Sequence, residues 1–173
     1  MQEVHLNLWS RLEAFGLDEP GAGLPFSSRL ARERGWTHAE TSRVVREYRR
    51  FLFLAAVTGH PVSPSEAVDH AWHLHLLYTR SYWQDLCAQV LGFDLHHEPT
   101  KGGHDESAKF TDWYVRTLES YRAHFDEDPP SDIWPSPEQK AATHPEQQWV
   151  DRGRYWLVPK FKPFRRGGNS PLS

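Results

Sequence analysis

A capped, strongly amphipathic segment at residues 37–57 most constrains what this chain can fold into. Thr37 and Glu40 have the spacing of a capping box, in which each side chain satisfies a free backbone donor at a helix start. Apolar residues then recur at intervals of three and four up to Gly59, which predicts a long core helix over residues 38–57. Its predicted buried face consists of Val44, Val45, Tyr48, Phe51, Leu52 and Ala55.

The same pattern predicts further helices around this one. Ser63, Pro64 and Glu66 resemble a cap, a first helical turn and a second capping box, and so predict a helix reaching about residue 78. Gly92 would end another helix by adopting a left-handed conformation. Apolar spacing and helix-ending residues predict helices over residues 4–15, 38–57, 67–78, 82–91 and 105–125, with a short turn around residue 30. We therefore predict a mainly α fold, a single bundle of five or six helices.

The composition changes after residue 128, where proline becomes frequent. A chain of 173 residues is about one domain long. We therefore predict a helical body over residues 1–128 and an extended arm over residues 129–173, with a basic tail from about residue 160. Proline excludes long helices from the arm, and its tryptophans would pack on the body. These are Trp134, Trp149 and Trp156.

Charge and cysteine content exclude several protein classes. The net charge is −3, although residues 152–173 hold six basic residues and no acidic one. We expect this tail to lie on the acidic body, or alternatively to contact phosphate or a membrane surface, and expect no nucleic-acid partner. Cys87 is the single cysteine, which excludes an intramolecular disulfide and favours a cytoplasmic location. The longest apolar run, residues 51–57, is far short of the roughly 20 residues that span a bilayer, so we expect neither membrane insertion nor export.

Histidines cluster in one part of the chain. Of eleven histidines, seven lie between His60 and His104: His60, His70, His73, His75, His96, His97 and His104. Imidazole nitrogen and thiolate sulfur are the usual donors for zinc, copper and iron. The cluster therefore indicates a divalent transition metal site, with Fe, Zn or Cu as the candidates.

Helical geometry divides these candidates. Asp69 lies one turn before His73, so the two can chelate one ion or form a hydrogen-bonded pair, and His70 can join the same edge. His75 turns towards a more apolar face beside Trp72. It is a candidate ligand, or alternatively a core histidine bonded to a backbone carbonyl.

The remaining candidates lie in a helix and a loop. Cys87 is a candidate ligand or a small core residue among leucines and valines. His96, His97 and His104 lie in a glycine-containing loop that can fold around an ion, or they are exposed loop residues. Adjacent His96 and His97 would offer one ligand to a given ion.

Seven of these positions form the pattern D-x-x-W-H-x-H-x6-Y-x4-C-x4-G. They are Asp69, Trp72, His73, His75, Tyr82, Cys87 and Gly92. The pattern resembles the glycine-rich domain-containing protein-like family of plants, fungi and bacteria. The resemblance implies that His73, His75 and Cys87 belong to a site, without identifying a metal or reaction. Plant members carry a long glycine-rich tail, which this sequence does not show, so we do not extend their stress and RNA associations to it.

Two functional hypotheses follow. In the first, the chain is a metal-dependent enzyme acting on a small-molecule or peptide substrate. An oxidoreductase is favoured over a hydrolase because no H-E-x-x-H helix is present. In the second, the domain is a non-catalytic binding or scaffold protein with a structural metal or a hydrogen-bonded His/Cys cluster. A metal-free thiol or a pH-responsive histidine cluster is a further alternative.

Overall fold

The fold is described from a computed structural model covering residues 3–97 and 104–142. Within those ranges the chain is helical and contains no strand, which confirms the predicted mainly α class. The helices are α1 (Glu3–Ala14), α2 (Phe26–Arg34), α3 (His38–Val57), α4 (Glu66–Leu77), a π-helix (Arg80–Leu91), α5 (His104–Phe125) and α6 (Pro137–Ala142). None of the helices described is long and apolar enough to cross a membrane.

Helix α3 is the centre of the bundle and contacts α1, α2, α4 and α5. Its predicted capping box is present, because the Glu40 backbone N–H donates to Thr37 Oγ1 and the Thr37 N–H donates to Glu40 Oε2. Tyr48 and Phe51 are completely buried along its inner face. Burial of large apolar side chains stabilises each by roughly 1.5–3 kcal/mol, which makes this face the main source of cohesion.

The residue that caps helix α4 lies two positions after the predicted one. The residue that caps it is Ser65, whose Oγ accepts the Val68 backbone N–H at 3.3 Å. The prediction of Ser63 as the cap was wrong. The Ser63 backbone N–H instead donates to Thr117 Oγ1 on α5, at 2.9 Å. Ser63, which has the capping-box spacing to Glu66, is therefore engaged in a tertiary contact with α5 and does not cap α4.

The helix predicted over residues 82–91 begins at Arg80 and has π geometry. At its end the Gly92 N–H donates to the Cys87 carbonyl, five residues back, at 2.8 Å, with Gly92 at a φ of 79°. Gly92 thus ends the helix as predicted. Since π bonding steps by five residues, Tyr82, Leu86 and Cys87 share one face, and all three are fully buried.

Residues 130–142 close one side of the bundle. Backbone bonds from Ile133 and Trp134 to the Pro130 carbonyl form a turn that buries both side chains. Trp134 Nε1–H donates to the buried Glu47 carboxylate at 2.9 Å. Within the predicted extended arm, α6 is a short helix whose first residue is proline. Trp149, Trp156 and the basic tail lie outside the described residues.

Candidate metal centre

Helix α4 carries two of the candidate ligands one turn apart. His73 Nδ1 lies 3.2 Å from Asp69 Oδ2, with the two side chains 53% and 29% exposed. Residues four apart share a helix face, so the sequence spacing alone brings this pair together. The pair is open to solvent on the His73 side.

His97 joins this pair from the loop that follows the π-helix. Its Nε2–H donates to the second oxygen of the same carboxylate, Asp69 Oδ1, at 2.9 Å. The His73 and His97 rings are 4.3 Å apart between centroids. The Trp72 ring meets His97 in a T-shaped contact at 4.4 Å and covers it on the core side. Asp69 is therefore the common partner of two imidazoles from different parts of the chain.

Asp69, His73 and His97 each offer a donor atom within 4.8 Å of the others. A tetrahedral ion with bonds of about 2.0–2.2 Å keeps its ligands roughly 3.3 Å apart, and each imidazole nitrogen lies within 3.2 Å of one of the two Asp69 carboxylate oxygens. Among the residues that the structure describes, no other group of three metal-ligating side chains has this geometry.

His75 lies in the core. It is 1% exposed, and its two ring nitrogens hydrogen-bond to Tyr48 Oη at 2.9 Å and Ser81 Oγ at 3.1 Å. The predicted alternative of a core histidine describes it, although its partners are hydroxyl groups and not a backbone carbonyl. Burial lowers the pKa of His75 to about 4, so its imidazole is neutral near pH 7.

His70 and His96 are also separate from the three donors. His70 Nε2 pairs with Glu66 Oε1 at 3.5 Å, one turn back on α4. The expectation that His70 joins the edge formed by Asp69 and His73 is therefore not met. Burial, followed by the charge of Arg34, lowers the pKa of His70. His96 is exposed and packs against the Trp83 ring at 5.5 Å. Of the adjacent pair, His97 alone reaches Asp69.

Cys87 is fully buried and contacts Tyr82 and the backbone of Leu95. Burial raises the pKa of its thiol, which disfavours the thiolate form that metals bind. The structure therefore does not bring this predicted ligand to the other donors. Helix α5 begins at His104, but the side chain of that residue lies outside the described part of the chain.

One charged residue near the centre was missed by the sequence reasoning. Lys140, on α6, donates to the Pro64 carbonyl at 2.8 Å and lies 3.8 Å from the centroid of the Tyr114 ring. Burial lowers the pKa of Lys140 to about 8, an effect that the negative charges of Asp69 and Glu66 oppose. No local sequence pattern could have indicated this lysine, because it reaches α4 only through folding.

The chain was compared with known protein families, curated proteins and solved structures. A family model described as UCP032817-like matches residues 26–112, about half of the chain, and this range includes all three donors. Searches against curated proteins and against solved structures found no match. The predicted resemblance to the glycine-rich domain-containing protein-like family is therefore wrong. Most of the motif that suggested it consists of packing residues, such as Trp72, Tyr82 and Cys87, whose spacing follows from the helix contacts.

Proposed function

The chain belongs to the UCP032817-like family, and we propose that it binds a divalent transition metal through Asp69, His73 and His97. The observation that supports this proposal is the convergence of two imidazoles and one carboxylate, with donor atoms within 4.8 Å, from a helix and a loop. A surface hydrogen bond would need only two of these groups. The third ligand residue makes the arrangement suitable for chelation.

The donor set favours Fe(II) or Zn(II) over Cu(I). Imidazoles with one carboxylate suit both ions, whereas Cu(I) selects soft sulfur ligands, and the Cys87 thiol is buried away from the three donors. Asp69 would replace its two imidazole contacts by one or two bonds to the ion. Since protons compete with the ion for the imidazole nitrogens, we expect the affinity for the ion to fall on acidification.

We further propose that the site is catalytic. Three protein ligands leave at least one position for water or substrate, whereas closed structural zinc sites have four protein ligands. His73 is 53% exposed, so a small molecule or an exposed peptide segment can reach the ion. An iron ion bound in this way would supply redox chemistry with dioxygen or a peroxide. We therefore favour an oxidoreductase in the cytoplasm over a scaffold protein.

The first test is elemental analysis of protein prepared without a polyhistidine tag, followed by titration with Fe²⁺, Zn²⁺ and Co²⁺. We expect one ion per chain in the parent protein. His97→Ala should weaken binding by more than the roughly 10- to 100-fold that an outer partner contributes. His96→Ala is the matched control, because it removes the adjacent, exposed imidazole and should retain full binding.

Three outcomes would count against the proposal. The metal site is refuted if the parent binds no ion under any loading condition, or if His96→Ala and His97→Ala lose the ion equally. The catalytic part fails if the bound ion has four protein ligands and no exchangeable water. Oxygen consumption by the Fe²⁺-loaded protein, compared with His97→Ala, would test the oxidoreductase assignment.

A further inference from the structure

Leu95, two residues before His97, is held through its backbone carbonyl. The Tyr82 hydroxyl donates to the Leu95 carbonyl, and Cys87 lies against the Leu95 backbone. The Leu95 side chain also packs against the core. The loop is therefore attached to the π-helix at Leu95, two residues before His97.

The Tyr82 hydroxyl also reaches the helix that carries the other two ligands. It accepts Trp72 Nε1–H at 2.8 Å, and Trp72 lies immediately before His73 in α4. The Trp72 ring then contacts His97 at 4.4 Å between centroids. One buried hydroxyl thus joins α4 to the His97 loop.

The π geometry makes this double attachment possible. Tyr82 and Cys87 are five residues apart, which would separate them by about 140° around a regular α-helix. In the π-helix they lie on one face, are both fully buried and both contact Leu95. π-Helical turns occur frequently at functional sites, where they redirect side chains.

We propose that Tyr82 is a positioning residue of the metal centre, with Cys87 as its auxiliary: together they fix Leu95 and so hold His97 against Asp69. This inference rests on the proposed metal site. It assigns the tyrosine and cysteine a role in ligand geometry without direct contact with the ion. Loss of the hydroxyl would leave the Trp72 N–H and the Leu95 carbonyl without this partner, and the loop would lose its hydrogen bond to the π-helix.

The test compares Tyr82→Phe with Tyr114→Phe. Tyr114 is a matched control, because it is also buried and its hydroxyl donates to a single carbonyl, that of Pro135, at 2.8 Å. Co²⁺ is the probe, and its dissociation constant is measured beside the melting temperature. We expect Tyr82→Phe to weaken Co²⁺ binding by about 10- to 100-fold, as outer partners do, and Tyr114→Phe to leave it unchanged.

A second measurement separates this inference from the metal proposal. Hydrogen exchange of peptides covering residues 93–97 is followed in metal-free protein, where Tyr82→Phe should exchange faster than Tyr114→Phe. Unchanged exchange, or equal Co²⁺ affinity in the parent and Tyr82→Phe, would overturn the positioning role. If the parent binds no Co²⁺, the metal site itself fails, whatever the exchange shows. If Tyr82→Phe does not fold, the same measurement is made on two variants of Cys87, the other residue that contacts Leu95. Residues 93–97 should then exchange faster in Cys87→Ala than in Cys87→Ser, and equal exchange would count against the positioning role.

Discussion

Acidification should destabilise the fold through His75. This imidazole is enclosed by Tyr48, Ser81, Phe15 and Phe26, and burial lowers its pKa to about 4. The unfolded chain binds the proton near pH 6.5, while the folded protein does not. The folded pKa is depressed, so the stability due to neutral His75 is fully present above pH 6.5 and is lost as the pH falls towards 4.

The size of this effect follows from the pKa difference. Each pKa unit corresponds to 1.36 kcal/mol, so a shift from about 6.5 to about 4 gives about 3 kcal/mol between pH 7 and pH 4. Solvent screening reduces it little, because His75 is 1% exposed. The loss is a large fraction of the roughly 5–15 kcal/mol that stabilises a typical domain.

The assay is urea unfolding at pH 7, 6, 5 and 4, followed by far-ultraviolet circular dichroism. Carboxylates also titrate in this range, so the parent is compared with His75→Gln, which keeps a polar group but cannot titrate. The free energy of unfolding of the parent should fall about 3 kcal/mol further than that of His75→Gln. Parallel pH profiles for the two proteins would refute the reasoning.

Two further predictions concern the fold. Thr37→Ala should lower the free energy of unfolding by about 1 kcal/mol, because it removes the cap of α3. The control Arg43→Ala breaks an exposed ion pair with Asp132 and should lower it by less. Equal losses of the two variants in chemical unfolding would contradict this prediction. Trp134→Phe should cost roughly 1.5–3 kcal/mol, since it removes an N–H bond to the buried carboxylate of Glu47 while retaining an aromatic ring. An unchanged unfolding midpoint would show that this bond contributes nothing.

The sequence by itself determined most of the helical layout. Helix α3 has the predicted bounds because capping and amphipathic spacing are local properties that persist in the folded chain. Gly92 ends its helix for the same reason, since glycine adopts the required positive φ without strain. The cap of α4 was misplaced because Ser63, with Glu66 three residues later, has the capping-box spacing, whereas Ser65 caps the helix without it and the Ser63 backbone N–H donates to Thr117. No pattern in the sequence predicted the π-helical geometry of Arg80–Leu91.

The candidate site divides in the same way. The four-residue spacing of Asp69 and His73 is a helical property, so the sequence brought these two together. The sequence could not distinguish His97 from His96 as the residue that reaches Asp69. It also could not exclude His75 and Cys87, because a buried and an exposed residue of one type carry the same donor atom and the sequence alone does not show which is buried. Only the tertiary structure brought the loop to α4, where His97 contacts Asp69 and Trp72. The physical reason is that loop closure depends on hydrogen bonds between residues distant in sequence, for which local spacing carries no information.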